Sequence, residues 1–172
     1  MKSARKIRSQ ATAFAASALL LAGLSLTGCS ALQDLVQPDA VRDETGEVVE
    51  GGQSDVFTVS VGDCLSEATA DGEVSDVPIV PCSEPHDAEI YHDFTIDGAE
   101  FPGDEEVTRL ADEGCLGAFE DFVGLPYEES TLEVTYYSPT EVSWNEVDDR
   151  LVSCLIVDPA GDTTGSLEGA GR

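Results

Sequence analysis

Apolar and polar positions alternate in two different rhythms between residues 56 and 157. Residues 56–61 (Val-Phe-Thr-Val-Ser-Val) alternate as a half-buried strand does, and Gly62 with Asp63 closes the run. Residues 77–80 form a short second run flanked by prolines, expected at a sheet edge because proline cannot donate to a ladder. Residues 89–96 alternate again, with Ile90, His92, Phe94 and Ile96 on one side and Tyr91, Asp93 and Thr95 on the other. The period then lengthens. Val107, Leu110, Ala111, Cys115, Ala118, Phe119 and Phe122 recur at helical spacing and predict one long amphipathic helix over 104–122. Asp104 is the expected cap, Glu105 and Glu106 suit the positive end of the helix dipole, and Gly124 with Pro126 stops the helix. Residues 131–137 and 151–157 supply two more strands, the second apolar enough to be central. Residues 138–150, which hold the single Trp, are expected to be a loop. The result is an α+β fold: a small, mainly antiparallel sheet of about five strands with one long helix packed on one face.

The flanks differ from this middle. Residues 1–28 have a basic start, an apolar run over 11–26 and a small-residue exit, the three parts of an export signal. The run is shorter than the roughly 20 residues a membrane-crossing helix needs. It ends in Leu26-Thr27-Gly28-Cys29, a tetrapeptide that resembles the lipobox of bacterial lipoproteins. That resemblance implies cleavage after Gly28, lipidation of Cys29 and a palmitate-type anchor on the outer face of the cytoplasmic membrane. Two or more acyl chains suffice for stable anchoring, whereas one gives marginal, reversible binding. Residues 29–54, polar and acidic with Pro38, Gly46, Gly51 and Gly52, are expected to be a flexible tether. Residues 158–172 have few apolar side chains and are expected to be a disordered tail, leaving 55–157 as the globular domain.

Charge and cysteine content narrow the function classes. The chain carries 35 acidic and eight Lys or Arg residues, a net −27. Every acidic residue follows residue 28, after which only Arg42, Arg109, Arg150 and Arg172 are positive, so the chain from Cys29 carries −31. Nucleic acid is excluded as a partner, because binding phosphates depends on Lys and Arg that displace counterions. Removing Cys29 leaves Cys64, Cys82, Cys115 and Cys154, an even number that implies two disulfides in an exported chain. Three pairings are open on the count alone. Geometry favours Cys64 with Cys82, each ending a strand-like run that a hairpin would bring together, and Cys115 on the helix with Cys154 on the apolar strand. Each bridge should stabilise by roughly 3 to 4 kcal/mol.

Candidate chemistry centres on residues 81–89, Pro-Cys-Ser-Glu-Pro-His-Asp-Ala-Glu. A bridged Cys82 is no nucleophile, and Ser83 with His86 lacks the nucleophile-elbow pattern, so the chain is not expected to be an enzyme. Zinc-ligand spacing, an EF-hand loop and a nucleotide-binding glycine pattern are all missing, so neither metal nor cofactor is expected. His86, Asp87 and Glu89 remain as possible binding residues, together with Trp144, whose ring suits either a core position or an aromatic contact with a partner or glycan.

Several of these segments, taken together, resemble one family. Val61-Gly62-Asp63-Cys64, then Val80-Pro81-Cys82 with Pro85-His86-Asp87-Ala88-Glu89, then Cys115 on a helix, then Trp144 before Asp149-Arg150-Leu151-Val152-Ser153-Cys154-Leu155, look like the septum-formation domain of actinobacterial envelope lipoproteins. The resemblance spans about 56–157. It departs at Asp148, where Gly commonly precedes the Asp-Arg pair, so a different turn is expected there. It implies a role near cell division and carries over no catalytic residue. The expected function is a membrane-anchored, non-enzymatic interaction module meeting cell-division or cell-wall proteins; the alternative is an extracytoplasmic ligand- or cation-binding lipoprotein.

Overall fold

The computed structural model describes residues 38–68 and 73–172; the expected export signal, Cys29 and the first part of the expected tether lie outside them. A small hairpin comes first, β1 (Val41–Arg42) antiparallel to β2 (Val48–Glu50). The main sheet then takes in β3 (Gly52–Asp55), β4 (Cys64–Leu65), β5 (Asp76–Val80), β6 (Ala88–Thr95), β7 (Glu133–Tyr137) and β8 (Leu151–Val157). Its order is β3-β5-β4-β6-β8-β7, and every pair is antiparallel. The long helix α1 (Asp104–Val123) and a short α2 (Glu141–Glu146) complete the α+β architecture. As expected from its composition, β8 is internal.

Two apolar clusters occupy the two sides of the sheet. On one side, Val107, Ala111, Cys115, Phe119 and Val123 of α1 pack on Tyr91, Val152, Cys154 and Ile156. On the other, Val48, Val59 and Ala68 cover Leu65, Val77, Ile79, Ile90 and Leu155. Burying one such side chain stabilises by about 1.5 to 3 kcal/mol. Both disulfides form as favoured, Cys64–Cys82 from β4 to the turn after β5 and Cys115–Cys154 from helix to sheet.

Several local expectations need correction, each for a physical reason. Residues 56–58 form a 3-10 turn instead of a strand, because the Asp55 carboxylate accepts the Phe57 N–H and turns the chain. The extended segment lies earlier, at β3. β5 is internal despite Pro78. The Pro78 carbonyl accepts the Ser66 N–H just past the two-residue β4, so the missing donor falls where the ladder has already ended. β6 has a bulge between Ile90 and His92. The extra residue turns Tyr91 toward α1, where its hydroxyl donates to the Cys115 carbonyl, while Ile90 joins the opposite cluster. Gly103, at φ +97°, precedes α1 in place of an Asp104 cap, and Gly124 ends it in the left-handed conformation as expected. Residues 138–150 contain α2, opened by a capping box between Thr140 and Ser143.

The flanks are the largest correction. Residues 38–55 are folded: Val48 is buried, and Arg42 makes a paired contact at 2.6 and 2.7 Å with the buried Asp63 carboxylate. Gly52 is required by packing, since a Cβ there would lie 2.4 to 2.7 Å from backbone atoms of residues 38–40. Residues 158–172 are docked as well, with Leu167 buried among the α1-side cluster. The departure at Asp148 has a geometric counterpart: Asp148 is the one non-glycine at positive φ (58°) among the described residues. That region favours glycine, and Asp tolerates it better than most.

Candidate functional site

The structure places His86, Asp87 and Glu89 together in sequence but spends their polar atoms inside the fold. His86 is 1% exposed; Nδ1 lies 2.8 Å from the Glu84 carbonyl and Nε2 lies 3.2 Å from the Thr163 hydroxyl. Backbone bonds between His86 and Thr163 reinforce that clamp. Asp87 accepts the Ala68 N–H on both oxygens. Glu89, 2% exposed, accepts the Ser166 hydroxyl and the Leu167 N–H, each at 2.7 Å. A buried carboxylate with two such donors is strongly held. Together these residues fasten the C-terminal segment and the loop before residue 69. Trp144 is 2% exposed and packs on Phe101, with the Arg150 guanidinium 3.7 Å above its ring. It is a core position on the buried side of α2.

Surface chemistry gathers elsewhere, on the sheet face opposite α1. The cluster around Val48 and Val59 runs across that face from β5 through Ile90 of β6 to Leu155 of β8. Over β7 and β8 the face stays open as a groove of about 640 Å³. Its floor follows from strand alternation: Thr135 and Tyr137 pair across from Leu155 and Ser153, so Thr135, Tyr137, Leu151 and Ser153 share that side. One wall is Val56 and Phe57 with Val74; the other is one side of α2, with Val142, Ser143 and Glu146, continued by Val147. Phe57, Val142 and Val147 are 51%, 55% and 62% exposed. Three large apolar side chains are left this open around one concavity.

Electrostatically the groove is acidic. Glu73, Glu146 and Asp149 line it and no Lys or Arg does. Each of the four described arginines is already ion-paired: Arg42 with Asp63, Arg109 with Glu106 and Glu113, Arg150 with Asp148, and Arg172 with Asp158. On the floor, burial pushes the Tyr137 hydroxyl up to about 12, helped by the Asp87 charge, and that hydroxyl donates to the Ala68 carbonyl. Beside Ser153, burial raises the Asp93 carboxyl above the usual carboxylate range, and one of its oxygens has no partner among the described residues. No three His, Cys, Asp or Glu side chains among the described residues converge as a metal site requires.

The groove was not anticipated from sequence. Val142 and Val147 lie in a segment expected to be a loop, and Phe57 in one expected to be a strand with a buried side. The available signal was the five-residue spacing of Val142 and Val147 flanking Trp144, which fits two sides of a helical turn.

The described residues thus form a disulfide-braced α+β domain with an open, acidic, apolar-walled groove. The chain belongs to the septum-formation family, whose model matches residues 28–170. Membership links the protein to septum formation. The match extends beyond the 56–157 segment on both sides, over the flanking residues that the structure docks onto the sheet. The chain matches no curated protein and no solved structure.

Proposed function

We propose that this protein is an exported lipoprotein, acylated on Cys29, that acts without catalysis as an interaction module at the septum, offering its groove to cell-division or wall-synthesis proteins. The observation that carries this reading is the exposed apolar wall of Phe57, Val142 and Val147 in a chain of the septum-formation family. The Leu26-Thr27-Gly28-Cys29 tetrapeptide supports the anchor. The non-catalytic part is supported by the commitments of the two most reactive side chains in the 81–89 segment: Cys82 is bridged and both His86 ring nitrogens have partners. Tethering to the membrane concentrates the groove near membrane-bound partners, so weak contacts suffice.

The test is replacement of the gene by Cys29→Ala and by Val142→Asp/Val147→Asp versions, scored by fatty-acid labelling, septal fluorescence and cell length. Label should be lost only in Cys29→Ala, and both versions should lengthen cells. Normal septation with the double Val variant, present at normal levels, would refute the groove's role. Persistent label in Cys29→Ala would refute the anchor.

A further inference from the structure

The edge of the sheet beside the groove is β7, the last strand in the order β3-β5-β4-β6-β8-β7. In an antiparallel pair, alternate residues turn their N–H and C=O groups away from the partner strand. Among the described residues, the backbone of Glu133–Tyr137 makes no hydrogen bond except within its pairing with β8. Natural sheets blunt such edges with Lys, Pro or bulges. β7 has Glu133 at its start and none of those three. The groove reaches this edge, since Thr135, Tyr136, Tyr137 and Ser138 all line it. A strand laid along β7 would send every second side chain into the groove.

We infer that β7 and the groove take an extended segment of a partner protein by strand addition, one whose every second position, the set that faces the groove, carries both apolar side chains and Lys or Arg. The inference rests on the interaction reading above and gives its partner a chemistry. Apolar side chains would fill the space over Tyr137 and Leu151 between Phe57 and Val142. Cationic ones would meet Glu73 and Glu146, which have no arginine of their own in the described residues to pair with. Main-chain bonds supply affinity in this mode and the side-chain pockets supply selectivity. The fold already accepts an extended segment at its other edge, where residues 38–40 run along β3.

The test uses the full chain in lipid nanodiscs and four eight-residue probes: a Lys-Val peptide in which Lys and Val take turns at every second position with Thr between them, a Glu-Val peptide of the same pattern, and two forms of the Lys-Val peptide, each N-methylated at alternate backbone nitrogens along one edge. The Lys-Val peptide should bind with a dissociation constant on the order of 0.1 mM and slow amide exchange over residues 133–137. The Glu-Val peptide should not bind. Glu73→Lys/Glu146→Lys should weaken Lys-Val binding roughly tenfold and restore binding of the Glu-Val peptide. N-methylation should abolish binding for one of the two methylated edges and spare the other. Equal binding of both methylated peptides, or no change in exchange over β7, would overturn strand addition in favour of nonspecific charge attraction; so would no binding at millimolar peptide. A photo-crosslinker at Val142 separates the two claims in cells: capture of a septal protein without peptide binding leaves the interaction module and removes the strand, and failure of both removes both.

Discussion

The two edges of the six-stranded sheet end in opposite ways. At β3 the chain closes its own edge: the Ala40 N–H donates to the Gln53 carbonyl, the Gln53 N–H donates to the Pro38 carbonyl, and the Arg42–Asp63 pair pins the segment that does so. At β7 nothing of the chain's described residues is laid alongside. An unpaired edge invites association with other chains, so leaving one open while sealing the other separates a structural edge from one available for contact. The apolar cluster thins in the same direction, reaching Leu155 of β8 and leaving the groove over Thr135, Tyr137 and Leu151 beyond it.

This contrast can be broken in graded steps. The largest effect is expected from the disulfides, because they brace the two halves separately. Replacing Cys115 and Cys154 by Ala opens a longer loop than replacing Cys64 and Cys82, with sequence separations of 39 and 18. Losses of about 4 and about 3 kcal/mol in chemical denaturation follow from loop entropy. Only the second pair should also speed amide exchange in β4 and β5. Gly52→Ala comes next. Its Cβ would meet backbone of residues 38–40, so the closed edge should detach at a cost of about 1 to 3 kcal/mol, and size-exclusion chromatography should reveal new self-association. Thr135→Ala at the open edge should cost less than about 0.5 kcal/mol, and an equal loss at both sites would erase the distinction.

Smaller effects sharpen the open half. Burial, the main influence on Asp93, raises its folded pKa above the unfolded one, so the folded state holds the proton longer. Stability from this group is full below the unfolded pKa and declines as pH rises through the folded one. Asp93→Asn should remove that decline and be the more stable protein at pH 7. A denaturation series from pH 3 to 8 in which the two proteins keep parallel slopes would disprove it. Asp148→Gly should raise the melting temperature slightly, by relief of about 0.5 kcal/mol at φ 58°, since the lost ion pair to Arg150 involves a side chain 91% exposed. A lower melting temperature would show that the Asp side chain matters more than the backbone angle.

The middle of the fold was legible because its signals are periodic. The α1 stripe, the apolar β8 and the four cysteines each state their place through spacing, and both disulfides joined the elements that spacing had put opposite each other. Failures came where a long-range contact overrides local composition. Gly51 and Gly52 resemble a linker until the strand crossing them is known, and Gly52 is small because backbone lies against it. Leu167, alone among polar residues, is buried, and its own N–H donates to Glu89, 78 positions away. His86, Asp87 and Glu89 drew attention as polar groups in one short run, and that run is polar because it fastens other segments. The groove had no such concentration of signal, being assembled from residues 56 to 153.

Glu89 ties the docking of a distant segment to completion of the fold. Its buried carboxylate sits on β6, yet the two donors that hold it, Ser166 and Leu167, lie 77 and 78 positions further along the chain. Until that segment has docked, β6 holds an acceptor whose place is ready and whose company has not arrived. A chain cut before Ser166 therefore stays open at this spot, and Ser166 with Leu167 acts as the latch that closes it.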